Sequence, residues 1–96
     1  MRNLEQIRKQ LQVYKPELMK RYGLSQLAVF GSYARNQQTS ESDLDILVEF
    51  DRPIGIAFID LADELERILT LKVDLVSRGG IKESHFKAIE EELQYV

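Results

Sequence analysis

Cysteine is absent from this chain of 96 residues, which excludes disulfide frameworks, Cys-based zinc sites and thiol nucleophiles together. Histidine occurs once, at His85, and leaves no multi-histidine metal site. No apolar run approaches the ~18–20 residues of a membrane span, and the first residues are charged and helical in pattern, without the apolar core of a signal peptide. Basic residues are outnumbered, 13 against 16 acidic, for a net charge of −3. Such a balance offers no field for gripping a nucleic-acid backbone and disfavours a DNA- or RNA-binding module. Internal repeats and low-complexity linkers are also missing. These absences together lead us to expect a cytoplasmic, reduced protein with no membrane segment.

What is present describes a globular chain: 44% hydrophobic and 30% charged residues, with a mean hydropathy of −0.29. A chain of this length buries about 60–65% of its unfolded surface and is expected to form one domain over residues 1–96. The charge is uneven. Residues 1–22 carry a net charge of +4, residues 41–66 carry nine acids against Arg52, and the last thirty residues balance. A concentrated acidic middle is either a solvated surface or a divalent-cation site, and the spacing of its carboxylates decides between them.

From Asn3 to Arg21 the apolar positions Leu4, Ile7, Leu11, Tyr14, Leu18 and Met19 recur every three or four residues and predict an amphipathic helix. Asn3 caps it with Gln6 in the capping-box position, Gly23 closes it, and Pro16 predicts a kink or break near Lys15. Leu27 to Phe30 reads as a short buried strand ending in Gly31-Ser32. A polar turn with one helical turn follows, and Asp43 to Phe50 then alternates. Leu44, Ile46, Val48 and Phe50 take one face, and Asp43, Asp45, Leu47 and Glu49 the other. Residues 55–69 form a helical stripe, Leu71 to Ser77 a third strand, and Gly79-Gly80 precedes a last helix with Phe86, Ile89 and Leu93 on its buried edge. The expected fold class is α/β, with a sheet of three strands or slightly more packed against helices.

Asp43 and Asp45, two residues apart on a strand, project from one face with Cα atoms about 6.5–7 Å apart. They repel each other unless a cation sits between them. Hard oxygen ligands of this kind suit Mg²⁺ or Mn²⁺, which keep places for phosphate oxygens and water. Asp74 adds a third acid on another strand, between Val73 and Leu75, where it is costly unless solvated or bound. Gly31 lets the backbone approach a phosphate closely, and the Ser32 hydroxyl can donate to one. Asp74 could accept the proton of an attacking hydroxyl.

The stretch Gly31-Ser32-Tyr33-Ala34-Arg35, followed after a short polar loop by Asp43-Leu44-Asp45, resembles the minimal nucleotidyltransferases of the DNA polymerase β superfamily. Lys72-Val73-Asp74-Leu75-Val76 is similar to the strand that carries that family's third acid. The resemblance covers essentially the whole chain. It implies a small mixed β-sheet flanked by helices, the polymerase β-like nucleotidyltransferase fold, and Mg²⁺-dependent transfer of a nucleotidyl group, usually AMP from ATP. It further implies a HEPN-domain toxin as partner, so that a toxin–antitoxin hetero-oligomer is expected, with the chain as the antitoxin that attaches AMP to the toxin. Carried over by position, Gly31, Ser32 and Arg35 match nucleotide binding, and Asp43, Asp45 and Asp74 match the catalytic, metal-binding acids. Asn36 departs from the family pattern, which has glycine after the arginine. Asn tolerates a left-handed backbone better than most residues.

Each signal also has a bland reading. Gly31-Ser32 alone is a strand-ending turn, Asp43 a loop acid, Asp45 and Asp74 strand-edge charges that discourage aggregation. Arg35 serves equally as a loop brace, His85 reads as surface, the four tyrosines as packing residues and Glu90-Glu91-Glu92 as solvated. The rival functional reading is a binding-only antitoxin or scaffold with decayed catalysis. A polymerase or tRNA-modifying enzyme would need an additional basic domain.

Overall fold

The computed structural model describes residues 2–96. Helix α1, Leu4–Tyr22, begins at a capping box in which the Asn3 side chain accepts from the Gln6 N–H and the Gln6 side chain accepts from the Asn3 N–H, both at 2.9 Å. It ends at Gly23, whose left-handed φ of +69° lets its N–H return to the Met19 carbonyl at 2.9 Å. The break expected near Lys15 does not occur, and α1 runs through Pro16 as one helix. Ile7 and Leu11 before the proline, and Leu18 and Tyr22 after it, are buried in the same core. Pro16 itself and Gln12, whose carbonyl loses its partner, face solvent. An exposed carbonyl is open to solvent, and the shared buried stripe carries the helix through the proline.

Four strands follow: β1 Leu24–Phe30, β2 Leu44–Phe50, β3 Val73–Ser77 and β4 Gln94–Tyr95, in the order β3-β2-β1-β4. β2 pairs antiparallel with β1 and parallel with β3, while β4 joins β1 antiparallel, so the sheet is mixed. The parallel connection is made by α3, Ala57–Leu69, the crossover helix that a parallel pair requires. β1 starts three residues earlier than the sequence suggested, and β4 was not anticipated.

α1 and α3 cover one face of the sheet, where Leu27, Val29, Leu44, Ile46 and Val48 meet Leu61, Leu65 and Leu69. Strand alternation sends Phe30 and Leu47 to the other face, where Ile89 of α4, Glu83–Ile89, packs on them. α4 is short and shields only part of that face. Tyr22 and Tyr33 are buried as expected, but Tyr14 and Tyr95 are exposed. His85 is exposed beside the Phe30 ring.

Candidate active site

β1 ends at Phe30, and the chain turns at Gly31 with φ +75° into the single helical turn α2, Gly31–Ala34. Phe30 pairs with Asp45 on β2, and Asp45 pairs with Asp74 on β3. The glycine turn, Asp45 and Asp74 therefore share one level across three adjacent strands. Gly31 is required twice over. Its φ is one that side-chain-bearing residues rarely adopt, and a Cβ there would overlap the Asp45 carboxylate.

A turn over Thr39–Ser42 delivers Asp43 to the start of β2, with the Ser42 N–H donating to the Thr39 carbonyl at 3.1 Å and the Ser42 Oγ accepting from the Thr39 N–H at 2.9 Å. Asp43 and Asp74 are exposed and Asp45 is half-buried. Burial, followed by the negative charge of Asp74, a hydrogen bond with it and the charge of Asp43, pushes the Asp45 carboxyl up to about 6, against a weaker downward pull from Arg35. Both neighbouring acids thus act electrostatically on Asp45. Among the described residues no group of three His, Asp or Glu side chains is already gathered around a cation position. The donor chemistry nonetheless fits a hard divalent ion. Each candidate donor is a carboxylate oxygen, and the repulsion that adds to burial in raising Asp45 is an interaction a cation would relieve.

Ser32 is half-buried in the first turn of α2, and its carbonyl accepts the Gln37 N–H at 2.8 Å. Asn36 sits at φ +58°, the left-handed conformation that asparagine tolerates better than most residues. Arg35, read from the sequence equally as a loop brace or a phosphate contact, meets a carboxylate here. Its Nη1 lies 3.0 and 3.1 Å from the two carboxylate oxygens of Glu92. Glu92 Oε2 also accepts the Gly31 N–H at 2.5 Å. The expectation of a solvated glutamate run is therefore corrected: Glu90 and Glu91 are exposed, but Glu92 is half-buried against the glycine turn. Nothing local singled it out, because its two neighbours are also glutamates and its donors lie more than fifty positions earlier. A hollow lined by Tyr22, Asp60, Asp63, Glu66 and Arg67 belongs to the α1 and α3 side and contains none of these groups.

Asp45 and Asp74 thus lie side by side at one end of a small mixed sheet, with Asp43 at the start of β2 and the Gly-Ser turn beside them. Comparison with known proteins gives the class. The chain belongs to the nucleotidyltransferase domain family, whose profile matches residues 4–96, and it is an enzyme of that class. It is 46% identical over 98 residues, all of both chains, to a Methanocaldococcus jannaschii protein provisionally named a protein adenylyltransferase. It is 41% identical over 97 residues, 100% of this chain and 98% of the relative, to the protein adenylyltransferase MntA of Thermococcus cleftensis. Among solved structures, one provisionally described as a minimal nucleotidyltransferase superposes with a TM-score of 0.80 at 29% identity, over 99% of this chain and 95% of that one. A toxin–antitoxin crystal structure with AMP-PNP gives a TM-score of 0.73 at 25% identity, over 88% of this chain and 70% of that one. The expected minimal nucleotidyltransferase family and fold are thereby met. Among the described residues, no helix is long and apolar enough to cross a membrane.

Proposed function

We propose that this chain transfers AMP from ATP to a hydroxyl side chain of a partner protein, and that the partner is a HEPN-domain toxin for which it is the antitoxin. The observation that carries the reading is the shared level of the Gly31 turn, Asp45 and Asp74 on three adjacent strands. It has support from relatives named as protein adenylyltransferases and from a toxin–antitoxin structure holding an ATP analogue. The Gly31 N–H and the Ser32 hydroxyl are the donors for phosphate oxygens, with Arg35 as their cationic neighbour. Asp43, Asp45 and Asp74 would hold Mg²⁺, or Mn²⁺, which when bound offsets the charge of the phosphates and of the departing pyrophosphate. The acceptor oxygen bonds to the α-phosphorus, the bond from that phosphorus to the pyrophosphate oxygen breaks, and the Asp74 carboxylate takes the hydroxyl proton. Asp74 suits that step because it stands exposed on the edge strand, where an acceptor from another protein can reach it.

Incubated with its partner, ATP and Mg²⁺, the wild-type chain should raise the partner's intact mass by one or more AMP units. Asp74→Asn should still bind ATP yet transfer far more slowly. A pair that binds tightly and never gains AMP would return the case to a binding-only antitoxin.

A further inference from the structure

Glu92 occupies the donors that the proposed function assigns to phosphate oxygens. Its Oε2 takes the Gly31 N–H at 2.5 Å and lies 3.0 Å from Arg35 Nη1, which also donates to Oε1 at 3.1 Å. A carboxylate held by a strand-end N–H and a guanidinium uses the same donors, with the same charge preference, as a phosphate oxygen pair. Gly31 has a single N–H, and the Asp45 carboxylate fills the space beside its Cα. That N–H cannot serve the Glu92 carboxylate and a phosphate oxygen at once.

We propose that Glu92 is an internal competitor for the nucleotide: its carboxylate occupies the Gly31 turn and Arg35 in the free protein and must leave when the triphosphate enters. This rests on the nucleotidyltransferase reading of the same site and adds its regulation. Glu92 closes a 3₁₀ turn, Glu90–Glu92, two residues before β4. β4 is held to β1 by the pairs Val29 with Gln94 and Ala28 with Tyr95, and the Val96 N–H donates to the Leu27 carbonyl at 2.9 Å. Release of Glu92 therefore pulls on the edge strand, so nucleotide occupancy is communicated to the last five residues. The apparent affinity for ATP is reduced by the fraction of molecules in which Glu92 is seated.

Two measurements on the full chain test this. In calorimetric titration with ATP and Mg²⁺, Glu92→Gln, which keeps the shape and removes the charge, should bind about tenfold more tightly than wild type. In wild type, which requires no variant to fold, saturating ATP with Mg²⁺ should speed hydrogen exchange over residues 92–96 while protecting residues 31–35. Equal or weaker binding by Glu92→Gln, or slower exchange over 92–96 with nucleotide, would overturn the proposal and make Glu92 a prop for the turn. Wild-type binding with either of those results leaves the nucleotide site standing. Absence of ATP binding by both wild type and Glu92→Gln would overturn the site reading and this inference with it.

Discussion

Asp45 is the residue on which the site's energetics concentrate. Its carboxyl is pushed up to about 6 by burial and by the neighbouring acids, against about 3.9 in an unfolded chain. The folded state therefore holds this proton more tightly than the unfolded state does. The resulting stability is fully present below about pH 4 and lost as pH rises through about 6, so at pH 8 the metal-free protein carries the full penalty. In EDTA at pH 8, Asp45→Asn should be more stable than wild type by about 1 kcal/mol, after allowance for the solvent that reaches a half-buried group. The gap should close by about pH 4. Thermal melts across that range check both the sign and the window. A variant less stable than wild type at pH 8 would mean that Asp45 is held by favourable contacts and is not in conflict with its neighbours. Carboxyls perturbed by burial and by like charge concentrate at functional sites.

At the scale of elements, the most informative departure is α1. A proline inside a helix ordinarily costs about 3 kcal/mol relative to alanine, and the sequence pattern alone predicts an interruption. The helix persists because Ile7, Leu11, Leu18 and Tyr22 bury one stripe on both sides of Pro16. Tyr22 and its neighbour Arg21 also tie the end of α1 to α3: the Tyr22 hydroxyl donates to Glu64 Oε1 at 2.8 Å and Arg21 Nη1 donates to Glu64 Oε2 at 2.5 Å. Burial raises the Glu64 carboxyl, but these two donors outweigh it and hold the group below its ordinary value. Pro16→Ala should accordingly stabilise the protein, by about 1–3 kcal/mol, since the backbone is already helical there and the alanine N–H regains a bond to Gln12. Denaturant unfolding measures it. A loss of stability would show that the proline relieves a distortion in α1.

For the whole molecule, the architecture puts the main core on one side of the sheet and leaves part of the other side uncovered. α1 and α3 bury the first face, while the short α4 covers only the Phe30 and Leu47 region of the second. Asp45 and Asp74 lie on strand positions that alternation turns away from the main core. A ligand that binds only this folded arrangement must raise its stability. With 1 mM ATP and excess Mg²⁺ the wild-type melting temperature should rise by several degrees, as expected of a domain this size when a few kcal/mol of binding is added. Asp45→Asn should lose most of the rise. Equal responses from the two proteins would remove Asp45 from the nucleotide site.

The sequence by itself determined those features that depend on neighbours along the chain. The Asn3 and Gln6 cap, the Gly23 stop, the Gly31 turn, and the alternation that places Asp43, Asp45 and Leu47 opposite Leu44, Ile46 and Val48 are local, with periods of 3.6 or 2 that a short window can reveal. The family's spaced motif was legible for the same reason. What meets across distance is set by the packing of elements far apart in the chain. Register between β2 and β3, separated by the α3 crossover, is what brings Asp74 level with Asp45. β4 is two residues long, too short for any period to show, and exists because β1 offers it an edge. Glu92 is a solvated acid by its neighbours and a ligand of the Gly31 turn by its fold. A hydrogen-bond donor 61 positions away leaves no trace in the residues around it, because folding, not local propensity, brings the two together.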